Sequence, residues 1–187
     1  YVVNNDLFSI KKRIKNKKIK ILYAGKLIKR KGVDILLKSI LHIKNNYNFV
    51  NKFELMIVGD GHMRDYLVNY IKLKKLTNIK IISFKNEKEL SKIYQKSDIF
   101  IMPSYFEPWG LTINEALASE NAIICSNKVG SSYDLVHQGK NGYLFKEKSY
   151  KSLASKIIKL VENKKRINFF KKESLKIISK WSFNECQ

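Results

Sequence analysis

Asp98-Ile-Phe-Ile-Met102-Pro103-Ser104-Tyr-Phe-Glu107-Pro-Trp-Gly110-Leu111-Thr112-Ile-Asn-Glu115-Ala-Leu-Ala118 is the stretch on which the fold turns. Asp98 to Met102 is a short apolar run stopped by Pro103. Such a run reads as a buried strand, because proline cannot donate to a sheet ladder. The residues after it lose that character and then regain a helical one, so the local order is strand, loop, helix. Two carboxylates, Glu107 and Glu115, sit around the loop with seven residues between them. The order predicts Glu107 on the loop at the carboxyl edge of a sheet and Glu115 in the first turn of the next helix. Open α/β sheets bind ligands at that edge.

The same alternation runs outward in both directions. Ile19 to Ala24, Phe53 to Val58, Ile79 to Ser83, Ala122 to Ser126 and Tyr143 to Phe145 read as strands. Helical spacing is found at Val33 to Lys44, where Ile35, Leu36, Ile40 and Ile43 form an apolar stripe. It recurs near Met63 to Leu73, Glu87 to Gln95, Tyr150 to Glu162 and Ile167 to Lys180. Gly139-Lys-Asn-Gly142 reads as a turn. Strands alternating with helices predict an α/β fold with a Rossmann-like parallel sheet covered by helices on both faces. One such domain accounts for residues 1–187, with 1–18 expected as a linker or interdomain segment.

Composition narrows the function. A chain of 187 residues buries roughly 70% of its unfolded surface and needs no disulfide to fold. Cys125 lies in an apolar run and Cys186 next to the last residue, without metal-ligand spacing. His42, His62 and His137 have no partners spaced for a metal, so no bound metal or cofactor is expected. No apolar stretch approaches the ~20 residues of a membrane span and no signal peptide opens the chain, which makes the cytoplasm the default. The formal charge of +21 concentrates polyanions on any fold. It is scattered through almost every segment, however, with no zinc spacing, ribonucleoprotein aromatics or basic-zipper heptad, so no nucleic-acid partner is expected. An anionic membrane surface is the more plausible polyanion. Lys11-Lys-Arg-Ile-Lys-Asn-Lys-Lys18 is the candidate patch for peripheral attachment, against the alternative of a solvated linker.

Three further segments stand at strand ends: Gly25-Lys-Leu-Ile-Lys-Arg-Lys31-Gly32, Ile57-Val-Gly59-Asp-Gly61-His-Met-Arg64 and Lys128-Val-Gly130-Ser-Ser-Tyr-Asp134. Gly59-Asp-Gly61 falls short of a dinucleotide fingerprint, lacking a third glycine and an acidic residue ~20 positions on. Together with the Glu107/Glu115 spacing, these segments resemble the E-x7-E, Gly-Arg-Leu-x-x-x-Lys-Gly, Val-Gly-Asp-Gly-Pro and Gly-Gly-x-x-Glu motifs of the retaining GT-B glycosyltransferases of family 4 (group 1). The match is to their C-terminal, donor-binding domain. It covers nearly the whole chain, from Val2-Val-Asn-Asn-Asp-Leu-Phe8, similar to the segment after the interdomain crossover, to Trp181-Ser-Phe-Asn-Glu185, where the last helix returns to the other domain.

The resemblance implies a GT-B half-fold that transfers a sugar, hexosyl in type, from a nucleotide-diphosphate sugar to an acceptor hydroxyl with retention at the anomeric carbon. By position, Lys26 and Lys31 clamp the diphosphate and Glu107 lies against the sugar. The Gly110, Leu111 and Thr112 region approaches sugar and phosphate, and Glu115 holds the ribose hydroxyls. Gly25, Gly59 and Gly61 bring the backbone close, and Phe84 and Lys85 lie where the base is recognised. The acceptor, a glycan or lipid-linked sugar of bacterial surface polysaccharide or lipopolysaccharide, would be chosen by an amino-terminal domain outside this chain, without which the domain is expected to be inactive.

Departures from the family pattern include Lys26 for Arg, which loses the planar two-pronged donor. Ser131 replaces a second Gly, Asp134 a Glu, and Lys85 the Gly after Phe84. Glu120-Asn-Ala122 stands for Gly-x-Pro, and Asn121 is expected to take a positive φ there. Other readings stay open on the residues themselves. Thr112-Ile-Asn-Glu115 also fits a capping box, in which Glu115 merely closes the helix start. Paired carboxylates also serve glycoside hydrolases, although a hydrolase has no evident use for Lys26 and Lys31. An inactive nucleotide-binding module and a basic nucleic-acid or membrane-surface domain remain as alternatives.

Overall fold

The computed structural model describes residues 5–9, 18–47 and 49–181. Most of the Lys11 to Lys18 run, Val2 to Asn4 of the amino-terminal segment, and the residues after Trp181, Cys186 among them, therefore lie outside the described residues. Among those described, six strands form one parallel sheet: β1 (Ile19–Ala24), β2 (Phe53–Val58), β3 (Ile79–Ile82), β4 (Ile99–Met102), β5 (Ala122–Ser126) and β6 (Gly142–Phe145), in the order β3-β2-β1-β4-β5-β6. The helices are α1 (Asn5–Phe8), α2 (Val33–Asn46), α3 (Arg64–Leu73), α4 (Glu87–Gln95), α5 (Leu111–Ala118), α6 (Ser132–Leu135), α7 (Tyr150–Val161) and α8 (Lys164–Ile178). The strand order reverses between β1 and β4, which places a crevice at their carboxyl ends.

Each central strand is buried on both faces, and successive residues feed opposite cores. Ile21 and Tyr23 of β1, Ile99 and Ile101 of β4 and Ile124 of β5 pack under α2, α3 and α7. Leu22, Phe100, Met102, Ile123 and Cys125 pack under α1, α4 and α5. α8 reaches both cores, through Ile167 and Phe170 on one side and Ile178 on the other. This two-sided burial explains why the strands read as unbroken apolar runs rather than alternating ones.

Strand positions match the sequence reading to within one residue, and the helices to within three, the largest difference being the start of α8 at Lys164 rather than Ile167. α1 and α6, four residues each, are too short to carry a periodic signal and were not anticipated. Two expectations at α5 are corrected. Glu115 is not in the first turn. The N-cap is Gly110, at φ 94°, so Thr112 is already helical and Glu115 is the fifth helical residue. Gly110 has no side chain with which to cap, and the Thr112 hydroxyl instead meets Met102 Sδ at 3.9 Å, which removes the capping-box reading.

At the other end of α5 the left-handed residue is Glu120 (φ 51°), not Asn121. Glu120 N–H donates to the Leu117 carbonyl and Asn121 N–H to that of Ala116, the paired bonds of a Schellman cap, which require the left-handed residue one position earlier than expected. Asn121, fully buried, instead donates its amide to the carbonyls of Tyr94 and Ser119.

Candidate functional site

The loops after β1, β2, β4 and β5 meet at the carboxyl edge by backbone contact. A Cβ on Gly59 would lie 1.9 Å from the Gly25 carbonyl oxygen, and one on Gly32 1.9 Å from that of Pro103. Only glycine lets these turns close on one another, and Gly32 also needs its φ of 69°. Gly25 N–H donates to Val58 O and Leu27 N–H to Asp60 O, so the first loop is tied to the second. Gly25, Gly59 and Gly61 thus have loop-to-loop packing as their visible role.

Gly32 has a second consequence. By letting the turn at Lys29–Lys31 approach the end of β4, it brings Lys31 Nζ into a short ion pair with Glu107 Oε2, between residues 76 apart in sequence. Both side chains are largely sheltered, at 18% and 12% exposure. Arg30 Nη1 stands 3.5 Å from the same oxygen and donates to the Phe106 carbonyl at 2.8 Å. The Glu107 backbone is pinned as well: its N–H donates to Lys128 O and its carbonyl accepts from Gly130 N–H. The acid therefore stands on a rigid loop, between the β1 and β5 connections.

Lys26 is not part of this cluster. Its side chain is exposed, while its carbonyl accepts from the Tyr23 hydroxyl at 2.8 Å. Among the described residues, Arg30 rather than Lys26 is the second cation beside Glu107. The sequence held no signal for this, because Arg30 falls between two lysines on a position the motif leaves unspecified. Asp34 was missed too. It is buried at the start of α2, bonded to Lys29 Nζ at 2.5 Å and accepting the Tyr105 hydroxyl at 2.9 Å. It fastens the β1 connection to the loop that carries Glu107.

α2 and α5 both open on a left-handed glycine without a side-chain cap, whereas α4, α7 and α8 are capped by Asn86, Ser149 and Asn163. The N–H groups of Leu111 and Thr112 consequently point out of α5 without a side-chain acceptor. An uncapped helix start of this kind receives anions. Leu111 is 45% exposed there.

Glu115, one turn further along, is mostly buried. Its Oε2 has no hydrogen-bond partner among the described residues. Burial, with a smaller push from Glu87, raises its pKa to about 7, while the nearby Tyr94 phenol works the other way. Glu107 and Glu115 thus differ in kind: one carboxylate is already matched by cations, and the other is held in the protein with an oxygen unmet.

Phe84 and Lys85 follow β3, three strand spacings from β4, on the order of 14 Å. Asp60 holds this segment, accepting from Phe84 N–H at 2.7 Å and from Arg64 at 3.0 Å. The Phe84 ring is 72% exposed, and Lys85 Nζ lies 3.5 Å from Glu89. Glu87, which the segment leads into, acts electrostatically on Glu115.

Ser131 and Ser132 are buried, and their hydroxyls have no partner among the described residues. His62 and Asp134 are exposed. Among the described residues no group of three or more His, Cys, Asp or Glu is arranged to hold a metal ion, and no helix is long and apolar enough to cross a membrane. Two concavities, of about 480 Å³ beside α8 and about 620 Å³ against β2 and β3, lie away from this edge and include none of Lys31, Glu107 or Glu115.

A doubly wound parallel sheet with cation, carboxylate and uncapped helix start gathered at its switch point defines the class of Rossmann-like ligand-binding domains. Within that class, the model of the family "Glycosyl transferases group 1" matches residues 4–176, and the chain belongs to this family as its C-terminal GT-B domain. It is 26% identical over 161 residues to the capsular polysaccharide biosynthesis glycosyltransferase CapM of Staphylococcus aureus, covering 86% of this chain and 41% of that protein. Its fold is that of the C-terminal domain of the group 1 glycosyl transferase LpcC from Francisella tularensis, with TM-score 0.83, 21% identity and coverage of 97% of this chain and 99% of that one. The pneumococcal O-GlcNAc transferase GtfA, solved with UDP and GlcNAc, shares the fold at TM-score 0.81 and 23% identity, over 91% of this chain and 34% of that one. The chain spans less than half the length of the curated relatives it matches, 44%, 33% and 41% of three of them.

Proposed function

We propose that this chain is the donor-binding domain of a retaining glycosyltransferase that moves a hexosyl group from a nucleotide-diphosphate sugar to an acceptor hydroxyl. The observation that carries the reading is the pairing of Lys31 with Glu107 in front of the uncapped start of α5, with the Glu115 carboxylate one turn behind. In this reading Lys31, joined by Arg30 and by Lys26 from its exposed position, faces the diphosphate, and the Leu111 and Thr112 N–H groups approach the same oxygens. As the glycosidic C–O bond breaks, charge accumulates on the leaving phosphate, and fixed cations and amides offset it there more than in the ground state. Glu107 accepts sugar hydroxyls while holding Lys31 in line. Glu115 accepts the ribose hydroxyls, and Phe84 and Lys85 flank the base. No step in this scheme is assigned to a metal or a cofactor.

The donor's nucleotide is most economically UDP, the nucleotide bound in the GtfA structure. CapM, by its name a capsular polysaccharide enzyme, supports a role in bacterial surface glycans, including lipopolysaccharide. The chain's coverage of less than half of its relatives supports a site completed by a second domain of the longer protein, which would choose the glycan or lipid-linked acceptor at the inner face of the membrane. Calorimetric titration of the full-length protein with UDP, GDP and ADP tests the reading. One nucleotide should bind saturably, more weakly in Lys31→Ala and Glu115→Ala, and Lys31→Ala should slow transfer by about 10²–10³-fold. Equal nucleotide affinity in the wild type and in both folded variants would overturn it.

A further inference from the structure

Tyr94 is fully buried on α4, its ring edge-on to Phe8 at 5.7 Å and tilted against Phe100 at 5.5 Å. Its hydroxyl has no hydrogen-bond partner among the described residues, and neither has Glu115 Oε2 on the facing helix α5. A buried hydroxyl and a buried carboxylate oxygen are each costly to leave unmet, and native interiors leave few of them so. These two are complementary, since a phenol has an O–H to give and an ionised carboxylate only accepts. They also feel each other electrostatically: the carboxylate raises the phenol's pKa, and the phenol lowers the carboxylate's.

We propose that Tyr94 is the positioning residue for Glu115, its O–H reserved for Oε2 of the ionised carboxylate, so that Oε1 is left to accept the ligand's hydroxyls. The inference rests on the donor-site reading only for what Oε1 binds. The ring packing against Phe8 and Phe100 fixes where the phenol can point, and the pairing therefore sets both the direction and the ionisation of Glu115. Other elements around α5 do not compete for this role. Glu87 of α4 opposes ionisation. Tyr23 of β1 acts on Tyr94 rather than on Glu115. Burial keeps the Cys125 thiol of β5 neutral. On α8, Lys171 is engaged with Asp98, and Glu173 with Lys176.

The test is a carbon-13 carboxyl NMR titration of Glu115 without nucleotide, in the wild type, in Tyr94→Phe and in protein carrying 3-fluorotyrosine at position 94. Tyr94→Phe keeps the ring packing and should raise the Glu115 midpoint. The fluorinated phenol, a more acidic donor, should lower it, and this arm stands even if Tyr94→Phe does not fold. A Glu115 midpoint that moves in neither protein overturns the proposal. Nucleotide titration from pH 6 to pH 9 adds the functional arm. A positioning role predicts that Tyr94→Phe weakens binding several-fold near pH 7 and much less at pH 9, where Glu115 is ionised in both proteins. A uniform loss at every pH would mark a merely structural tyrosine and count against the proposal. Midpoint shifts without binding of any nucleotide would sink the donor-site reading while leaving the Tyr94–Glu115 pairing intact.

Discussion

Two largely sheltered carboxylates, one near each edge of the sheet, are treated in opposite ways. Asp98, just before β4 at the amino edge, has both oxygens filled: Oδ1 takes Lys171 Nζ at 2.9 Å and Oδ2 takes the Lys20 N–H at 3.0 Å. Lys171, only 6% exposed, also reaches the Ser97 carbonyl at 3.4 Å. Glu115, beyond the carboxyl edge, keeps one oxygen buried and unmet and is held near neutrality by burial. A completed set of hydrogen bonds around a sheltered charge makes a strut, whereas an incomplete set costs stability.

The largest effect should come from breaking the strut. Lys171→Met removes the cation that meets the largely sheltered Asp98 carboxylate, and should lower unfolding free energy by about 3–5 kcal/mol in chemical denaturation. A loss under 1 kcal/mol would show that Asp98 is hydrated and that the contrast between the two acids is false.

A smaller effect sharpens the other side. The folded pKa of Glu115, about 7, lies above the ordinary value of 4.5, so the folded state binds the proton more tightly than the unfolded one. Its contribution is then fully present below pH 4.5 and is lost as pH rises through 7, amounting to about 3 kcal/mol. Glu115→Gln should flatten that part of the stability–pH profile and leave the variant more stable than the wild type at pH 8. An unchanged profile would mean that Glu115 is ionised and solvated like a surface acid.

The smallest effect concerns the end of the helix that carries Glu115. Glu120 adopts φ 51° in the Schellman cap, a conformation that costs an L-residue about 1 kcal/mol relative to glycine. Glu120→Gly should raise stability by about that amount, measured by thermal unfolding, without moving the Glu115 titration. A decrease in stability would place the left-handed residue elsewhere.

Much of this architecture was legible because strands buried on both faces must be apolar throughout. Ile99 to Met102 and Ala122 to Ser126 could hardly be anything else. The glycine-bounded turn at Lys31 and the spacing of Glu107 and Glu115 were legible through family resemblance. Arg30 was not, since nothing in its neighbourhood distinguishes it from the lysines on either side. The helix register at α5 was misread because Thr112 and Glu115 fit a capping box in sequence, while the backbone starts its helix from a left-handed glycine two residues earlier.

The sequence by itself determined the βα alternation, the family and the approximate edge of the sheet that carries the site, because periodicity and turn residues are local properties. The tertiary structure alone decided which charges meet. Lys31 reaches Glu107 across 76 residues and Lys171 reaches Asp98 across 73. It alone shows that one carboxylate is satisfied and another is not, since burial and hydrogen-bond completion depend on what distant segments bring to the same few ångströms.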